Sequence, residues 1–574
     1  MTHNIIRRPQ VDDSHLTSIT SPLLRQIYAR RGVTAQQDDL ALKHLLRPDT
    51  IKDIGLAASI VADAIEADSS ILIVGDFDAD GATSTSVCLL ALKMMGATKV
   101  DYLIPNRFEY GYGLSPEIVA VAASKGAELL ITVDNGISSI EGVNAAKAAG
   151  MKVVVTDHHL QGRELPAADA IVNPNQHECQ FASKAIAGVG VAFYLMSVLR
   201  ATLAKRQWFS SQQIEEPNLS HLLDIVALGT VADVVALDAN NRRLVNAGMQ
   251  RVRAGRCRPG ITALLEVGKR NPQKMVAADF GFAVGPRLNA AGRLDEMALG
   301  VETLLCDDIM RARQMAAELD GLNQERRELE SGMQQEALKY LESLSLNEQT
   351  LPWGIALYQD DWHQGVIGIL ASRIKDRYHR PVIAFADAGD GEIKGSARSI
   401  KGLHMRDLLD AINTQHPGII IKFGGHAMAA GLSIHANKFT EFTQAYEAAI
   451  KQTLSFEHLS GEVLSDGELL IEQLTLETAQ MLRQAGPWGQ AFEEPVFDGY
   501  FTILQQRIVG EKHLKLMVET QCGSLMLDAI AFNVDLKVWP DATINHVRIA
   551  YKLDVNEFRG NQSVQLMVEH LDPM

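Results

Sequence analysis

Between residues 71 and 156 short apolar runs alternate with helix-like stretches. ILIV at 71–74, VDYLI at 100–104, LLITV at 129–133 and KVVVT at 152–156 are separated by helical patterns at 83–95, 116–125 and 138–149. No other feature constrains the fold as much, because parallel strands must be joined by crossovers long enough to hold a helix. The alternation predicts an α/β fold, a parallel sheet with helices on both faces. In such sheets ligands lie beyond the carboxyl ends of the strands, and here each strand runs into polar residues. The first leads to Asp76, Asp78 and Asp80, the second to Asn106, Arg107 and Tyr112, the third to Asp134, and the fourth to Asp157, His158 and His159. A later apolar helical segment, HLLDIVALGTVADVV, brings in Asp233.

The alternating aspartates before Gly81 look like the start of a calcium loop. That loop closes on a bidentate Glu at its twelfth position, which here is Val87, and it is entered from a helix rather than a buried strand. A phosphatase of the Asp-x-Asp-x-Thr type is excluded by Ala82 at the Thr position. Carboxylates gathered with a neutral imidazole instead suit one or two divalent cations, Mg²⁺ or Mn²⁺. Two such ions about 3.5–4 Å apart activate a water and stabilise the leaving oxygen of a phosphodiester. Each aspartate alone is as well explained as a helix cap. His158 and His159 on an extended segment are expected to face opposite ways. The set is stronger than its members, because independent caps have no reason to occupy successive strand ends of one sheet.

A chain of 574 residues exceeds one core, and roughly 100–200 residues per domain implies three or four domains. The net charge of −16 disfavours broad attraction to polyanions, so a nucleic-acid site must be local or metal-assisted. Five scattered cysteines without paired spacing fit a reducing cytoplasm. The apolar segment at 185–199 stops at Arg200, short of the roughly 20 residues a spanning helix needs, and reads as a buried helix; no membrane association is expected. The stretch 310–346 has a one-sided apolar stripe broken by Arg326 and reads as a connecting helix. A second strand-helix-strand module follows to about residue 455. The strand-like runs after 460 read as a small barrel of the oligonucleotide-binding (OB) type. The second module adds His363, Arg373, Ser396, Arg398, Gly424, Gly425 and His426, and the segment GPRLNAAGRLD adds Arg287, Asn289 and Arg293. Guanidinium forks among small residues suit phosphate recognition, although solvated charges and tight turns would give the same pattern.

GDFDADG, VDNG, TDHH and GTVAD, in that order, resemble the signature motifs of the DHH phosphoesterase family, and GSARS with FGGHAMAAG resembles its companion DHHA1 domain. With GPRLNAAGRLD and the β-rich end, nearly the whole chain is similar to the family's bacterial single-stranded-DNA exonucleases. The resemblance implies a parallel-sheet DHH domain joined by a long helix to a smaller α/β DHHA1 domain, plus an OB-like barrel. The expected boundaries are an N-terminal helical extension at 1–50, a catalytic domain at 51–309, the helix at 310–348, the DHHA1 domain at 349–455 and the barrel at 456–574. It implies Asp78, Asp80, Asp134, His158 and Asp233 as ligands of Mg²⁺ or Mn²⁺, with Asp76 and Asp157 supporting or binding, and His159 facing the scissile phosphate. Arg107, Tyr112, Arg287, Asn289, Arg293, His363, Arg373, Ser396, Arg398, Gly425 and His426 would bind the strand and its phosphates. The implied activity is 5′→3′ removal of mononucleotides from single-stranded DNA in recombination and repair, by a monomer that meets a single-strand-binding protein and a RecQ-type helicase. The alternatives are a family phosphodiesterase for short oligoribonucleotides or cyclic dinucleotides, and a non-catalytic strand-binding scaffold.

Overall fold

The computed structural model describes residues 4–106, 110, 113–343, 351–536, 538–558 and 560–574, so Arg107 and Tyr112 lie outside the described residues. The chain divides into two units. One consists of Pro9–Asn323 with Thr475–Pro495, the other of Met1–Arg8, Gln324–Leu474 and Val496–Met574. The stretch 475–495 therefore packs with the first unit rather than with the barrel that follows it. Its Trp488 and Phe492 rings lie 5.9 and 5.8 Å from Tyr28, on the helix Pro22–Arg30.

The first unit is built on a five-stranded parallel sheet in the order Val100–Leu103, Ile71–Val74, Leu129–Val133, Lys152–Thr156, Ala170–Val172. The first four match the expected strands. The fifth has only three residues, too few for a periodic signal. After Ile71–Val74 the chain pairs a strand on one side, then crosses to place Leu129–Val133 on the other. That reversal opens a crevice at the carboxyl ends of the two central strands. Ile71–Val74 and Leu129–Val133 are buried throughout, as a sheet covered on both faces requires.

The apolar helix Gly188–Lys205 is long enough to cross a membrane by composition, but most of it is buried in this unit. It packs on the helices Ile54–Glu66, Ala79–Met94 and Leu223–Ala232. The helix Ala79–Met94 starts four residues earlier than its apolar pattern indicates. Asp78 is its N-cap and accepts the N–H groups of Asp80 and Gly81 at 2.9 and 3.0 Å, so Asp78 and Asp80 are held by a helix start rather than by a loop.

The second unit contains a mixed five-stranded sheet, ordered Lys422–Gly425, Ala429–His435, Glu392–Arg398, Val382–Gly389, Ile355–Tyr358, with only the last pair parallel. It also contains a closed barrel of Phe497–Val509, His513–Thr520, Met526–Ala531, Asn561–Pro573 and His546–Phe558. The single parallel pairing, Met526–Ala531 with Asn561–Pro573, gives the partly crossed order of an OB fold. The helix Ile309–Ser343 runs through both units. Ala312, Ala316 and Leu319 are buried in the core of the first, and Met333, Ala337 and Leu341 in a cluster of the second. Arg326, which interrupts the stripe, is buried against Glu330 at 2.8 Å.

Candidate metal centre

The strand ends of the first sheet bring their carboxylates together. One oxygen each from Asp76, Asp78 and Asp134 lie within 4.8 Å of one another, as do ligand atoms of Asp80, His158 and Asp233, and of Asp134, His158 and His159. Nε2 of His158 stands 3.1 Å from Asp134 Oδ1, 3.5 Å from Asp233 Oδ2 and 3.9 Å from Asp80 Oδ2. Asp134 thus lies in two of the three groups and 3.1 Å from the imidazole of the third. Its backbone is left-handed, φ +62°, a conformation Asp tolerates better than most residues.

Burial and mutual repulsion make this arrangement unfavourable for bare carboxylates. The Asp134 and Asp233 carboxyls are pushed well above the ordinary range by burial, then by the charges of neighbouring aspartates. Asp80 is pushed up to about 7 by burial and by Asp78, although it accepts N–H groups from Gly188 at 2.6 Å and Val189 at 2.9 Å. Those donors are the first turn of Gly188–Lys205, whose dipole favours a carboxylate there. The sequence reading missed this contribution. Its signal was the AGVG entry to the helix: a Cβ at Gly188 would stand 2.8 Å from Asp134 Oδ1, so only glycine fits. Oxygen donors with one imidazole around a shared point fit a divalent cation of the Mg²⁺ or Mn²⁺ type.

Asp157 does not aim both oxygens at this point. Oδ1 accepts the N–H groups of His158 and His159 and lies 2.8 Å from His159 Nδ1, while Oδ2 accepts Ile137 N–H at 2.9 Å. Burial opposes its charge, but these contacts hold its pKa below the usual carboxylate range. Burial likewise opposes a charged His159, yet the Asp157 hydrogen bond and the nearby carboxylates raise that imidazole to about 9. The two imidazoles do not face opposite ways as an extended segment requires. The backbone turns after Thr156, and their centroids are 4.5 Å apart.

The residues of GPRLNAAGRLD lie on the helix Gly285–Leu294. Asn289 Oδ1 accepts Ala79 N–H at 2.8 Å, anchoring the acidic turn, and Arg287 is buried in an ion pair with Asp320 at 2.7 Å. Each of these contacts is to a protein group. Arg293 is half-buried in the last turn of this helix.

In the second unit, Arg373 donates to Glu330 at 2.8 Å, and His363 Nδ1 accepts Gly365 N–H at 3.1 Å. Gly425, φ +142°, sits at a tight hairpin: a Cβ there would meet Ala429 O at 2.5 Å, and His426 N–H donates to that same oxygen at 2.8 Å. Arg398 differs from the other arginines. It is largely buried, its Nη1 donates to Ser396 Oγ at 3.1 Å and its Nε to Ser372 Oγ at 3.2 Å, and no carboxylate pairs with it among the described residues. A Cβ at Gly368, in the first turn of Ile367–Tyr378, would meet Arg398 Nη2 at 2.8 Å and Ser396 Oγ at 2.9 Å. A guanidinium, two hydroxyls and a helix start are therefore close together here, groups of the kind that anions bind. Of the arginines at 251–258, Arg251, Arg253 and Arg258 donate to backbone carbonyls, so most of that cluster ties chain ends together.

Residues 70–230 match the DHH family, N-terminal domain, residues 352–452 the DHHA1 domain, and residues 465–570 the RecJ OB domain. The chain is 59% identical over 570 residues to the single-stranded-DNA-specific exonuclease RecJ of Dickeya dadantii (strain 3937), covering 99% of both. It is 57% identical over 571 residues to the protein of that name from Escherichia coli (strain K12), again covering 99% of each. The crystal structure of RecJ in complex with Mn²⁺ from Thermus thermophilus is similar with a TM-score of 0.80 at 26% identity, covering 100% of this chain and 80% of that one. With identity this high across the full length, and all three domains matched in order, the chain belongs to the RecJ family of single-stranded-DNA-specific exonucleases.

Proposed function

We propose that this protein hydrolyses single-stranded DNA from its 5′ end to 5′-mononucleotides, with two divalent cations, in recombination and repair. The observation that carries the chemistry is the convergence of Asp76, Asp78, Asp80, Asp134, His158 and Asp233 at one point of the sheet edge. A scaffold protein has no use for such repulsion. Asp76, Asp78 and Asp134 would hold one cation, Asp80, His158 and Asp233 the other, with Asp134 between them. The bound cations supply a nucleophilic water at neutral pH and neutralise charge on the phosphate.

The chain's own residues do the rest. His159, kept charged by Asp157 and 30% exposed at the mouth of the centre, donates to a non-bridging oxygen of the scissile phosphate. The P–O3′ bond breaks, leaving the 3′-hydroxyl on the released nucleotide and a new 5′-phosphate on the strand. Polarity requires a group that recognises one end, and the Arg398–Ser396–Ser372 pocket suits the terminal 5′-phosphate. Its buried guanidinium has no counter-charge among the described residues, and a phosphate would supply one. Arg293, Arg373, His363 and His426 are assigned to the backbone of the strand, with Arg107 and Tyr112 by family resemblance. The barrel takes bases by stacking.

The protein would act as a monomer in the cytoplasm, beside a single-strand-binding protein and a RecQ-type helicase. The decisive experiment follows a 3′-labelled oligodeoxynucleotide with Mn²⁺ present or chelated. Stepwise shortening from the 5′ end, abolished by chelation and by Asp134→Ala, is expected. Release of the labelled 3′-nucleotide first, or hydrolysis only of dinucleotides, would overturn the reading. Arg398→Ala is expected to lose the preference for 5′-phosphorylated over 5′-hydroxyl strands while retaining metal-dependent cleavage.

A further inference from the structure

Phe282 is 76% exposed, although its neighbours Phe280, Ala283 and Val284 are buried. The cause lies in the backbone. Residues Phe280–Val284 form a π-helix running directly into Gly285–Leu294, and Gly285 N–H bonds to Phe280 O across the widened turn. Pro286 follows at once. Inside a helix its ring clashes with the carbonyl four residues earlier, that of Phe282, and widening the turn relieves the clash. The widened turn rotates the phenyl ring out of the core. Leaving a Phe side chain in water forgoes the burial that its neighbours in this turn achieve, and single π-turns are frequent at functional sites.

The place of the turn gives it meaning. A Cβ at Gly281 would lie 3.4 Å from Val231 Cγ1, and one at Gly285 would lie 3.1 Å from Ala232 Cβ, so the π-turn packs on the last turn of the helix that presents Asp233. The continuing helix is fixed to the acidic turn through Asn289 and Ala79 N–H, at 2.8 Å. Next to Asp233, Val234 is 63% exposed with φ +60°. A β-branched residue in the left-handed region is strained, and such strain clusters at ligand-binding positions. Asp233 is itself the most exposed of the carboxylates around His158, with 20% of its side chain accessible. Two exposed apolar side chains therefore sit on segments that adjoin Asp233, Val234 next to it in sequence and Phe282 on the turn packed against its helix.

We infer that Phe282 and Val234 form a base-binding lip, with the Phe282 ring stacking on one nucleobase of the strand next to the phosphate being cut. This rests on the proposed hydrolysis of single-stranded DNA and goes beyond it. Stacking on an aromatic ring tolerates every base, as an enzyme consuming arbitrary sequence needs. The lip holds a base whose phosphate is at the metals, and so orients the reacting bond.

The test uses the full-length protein in EDTA and 5′-phosphorylated oligodeoxynucleotides carrying 2-aminopurine, or an abasic site, at each of the first positions in turn. Wild type is expected to quench 2-aminopurine at one position near the 5′ end. Phe282→Ala abolishes that quench, weakens binding by about 5- to 150-fold and melts at the wild-type temperature, while Phe282→Trp restores both quench and affinity. An abasic site at the same position weakens wild type by the same factor and leaves Phe282→Ala unaffected. Val234→Gly, which removes the backbone strain, is expected to melt no lower than wild type and yet bind less tightly. If Phe282→Ala quenches and binds as wild type does, or loses affinity equally for normal and abasic strands, the lip is refuted while the nuclease reading stands. If wild type neither binds single strands in EDTA nor degrades them once Mn²⁺ is added, both fall.

Discussion

Both oxygens of Asp157 accept N–H groups, and Oδ1 also holds the His159 imidazole beside the metal centre. Asp157→Asn replaces a carboxylate that satisfies four donors with an amide that has one acceptor atom. The imidazole, now at about 9, then falls toward its ordinary value. Turnover is expected to drop by about 10- to 100-fold, as for other groups that orient an active side chain. Mn²⁺ affinity measured by calorimetry changes far less. A second prediction concerns protons. Without cations, burial and neighbouring carboxylates push the Asp80 carboxyl up to about 7 and raise those of Asp134 and Asp233 well above the ordinary range. A carboxyl whose pKa is raised in the fold binds protons that the unfolded chain has released, so the metal-free fold loses stability as pH rises from about 4 through 7. Divalent cations expel those protons. Calorimetric titration with Mn²⁺ in two buffers of different ionisation enthalpy is expected to show proton release at pH 7, and affinity that increases with pH. Equal heats in both buffers would mean the carboxylates are already ionised.

At the level of elements, the centre depends on helices approaching closely enough to place side chains from distant parts of the chain. A Cβ at Gly229 would stand 2.1 Å from Thr83 Oγ1 and 2.8 Å from Val189 Cγ1. Gly229→Ala therefore pushes Leu223–Ala232 away from Ala79–Met94 and Gly188–Lys205, and with it Asp233. A loss of about 1–3 kcal/mol is expected from overpacking. It is to be read by thermal unfolding, together with weakened Mn²⁺ binding, which a stability effect alone would not give. In the second unit the strand Asn4–Arg7 pairs with Glu462–Ser465, and Asp498, whose side chain is fully buried, binds Arg7 at 2.9 Å and Arg548 at 2.8 Å. Burial opposes the Asp498 charge, but Arg7, Ser465 and Arg548 hold its pKa below the ordinary value. Such a depressed carboxyl stabilises the fold above its unfolded pKa and stops doing so as pH falls through the folded one. Asp498→Ala removes the buried carboxylate that joins two partly exposed guanidinium groups and Ser465, and is expected to cost about 1.5–3 kcal/mol in urea unfolding.

For the whole molecule, the excursion of residues 475–495 decides how the chain can be shortened. Phe492 is buried in the core of the first unit, with the Arg242 guanidinium 4.2 Å from its ring centre, and Trp488 stacks beside it at 5.2 Å. A chain ended after residue 495 is expected to keep Mn²⁺-dependent cleavage of trinucleotides and lose affinity for long strands. One ended after 474 is expected to lower the melting temperature of the catalytic unit as well. Equal melting of the two truncations would refute this. The barrel carries more acidic than basic side chains, in keeping with the overall charge of −16. Its hold on DNA therefore comes from stacking more than from charge, and removing it is expected to leave the salt dependence of binding nearly unchanged.

Much of this protein was written in local pattern. Strand and helix periods, the strand-end aspartates and the motif order are properties of neighbouring residues, and they determined the α/β class, the acidic and histidine residues brought together and the family. The contacts of Asp157 Oδ2 with Ile137, of Arg287 with Asp320 and of Asn289 with Ala79 were decided by the tertiary structure. In each case the partner is a backbone N–H or a carboxylate that only folding brings near. The same holds for Phe282. Its ring reads as core by composition, and a proline four residues later turns it toward water only because that helix is docked beside Asp233. A sequence specifies which groups can bond; which of the possible partners each one takes depends on distances that exist only once the helices have packed.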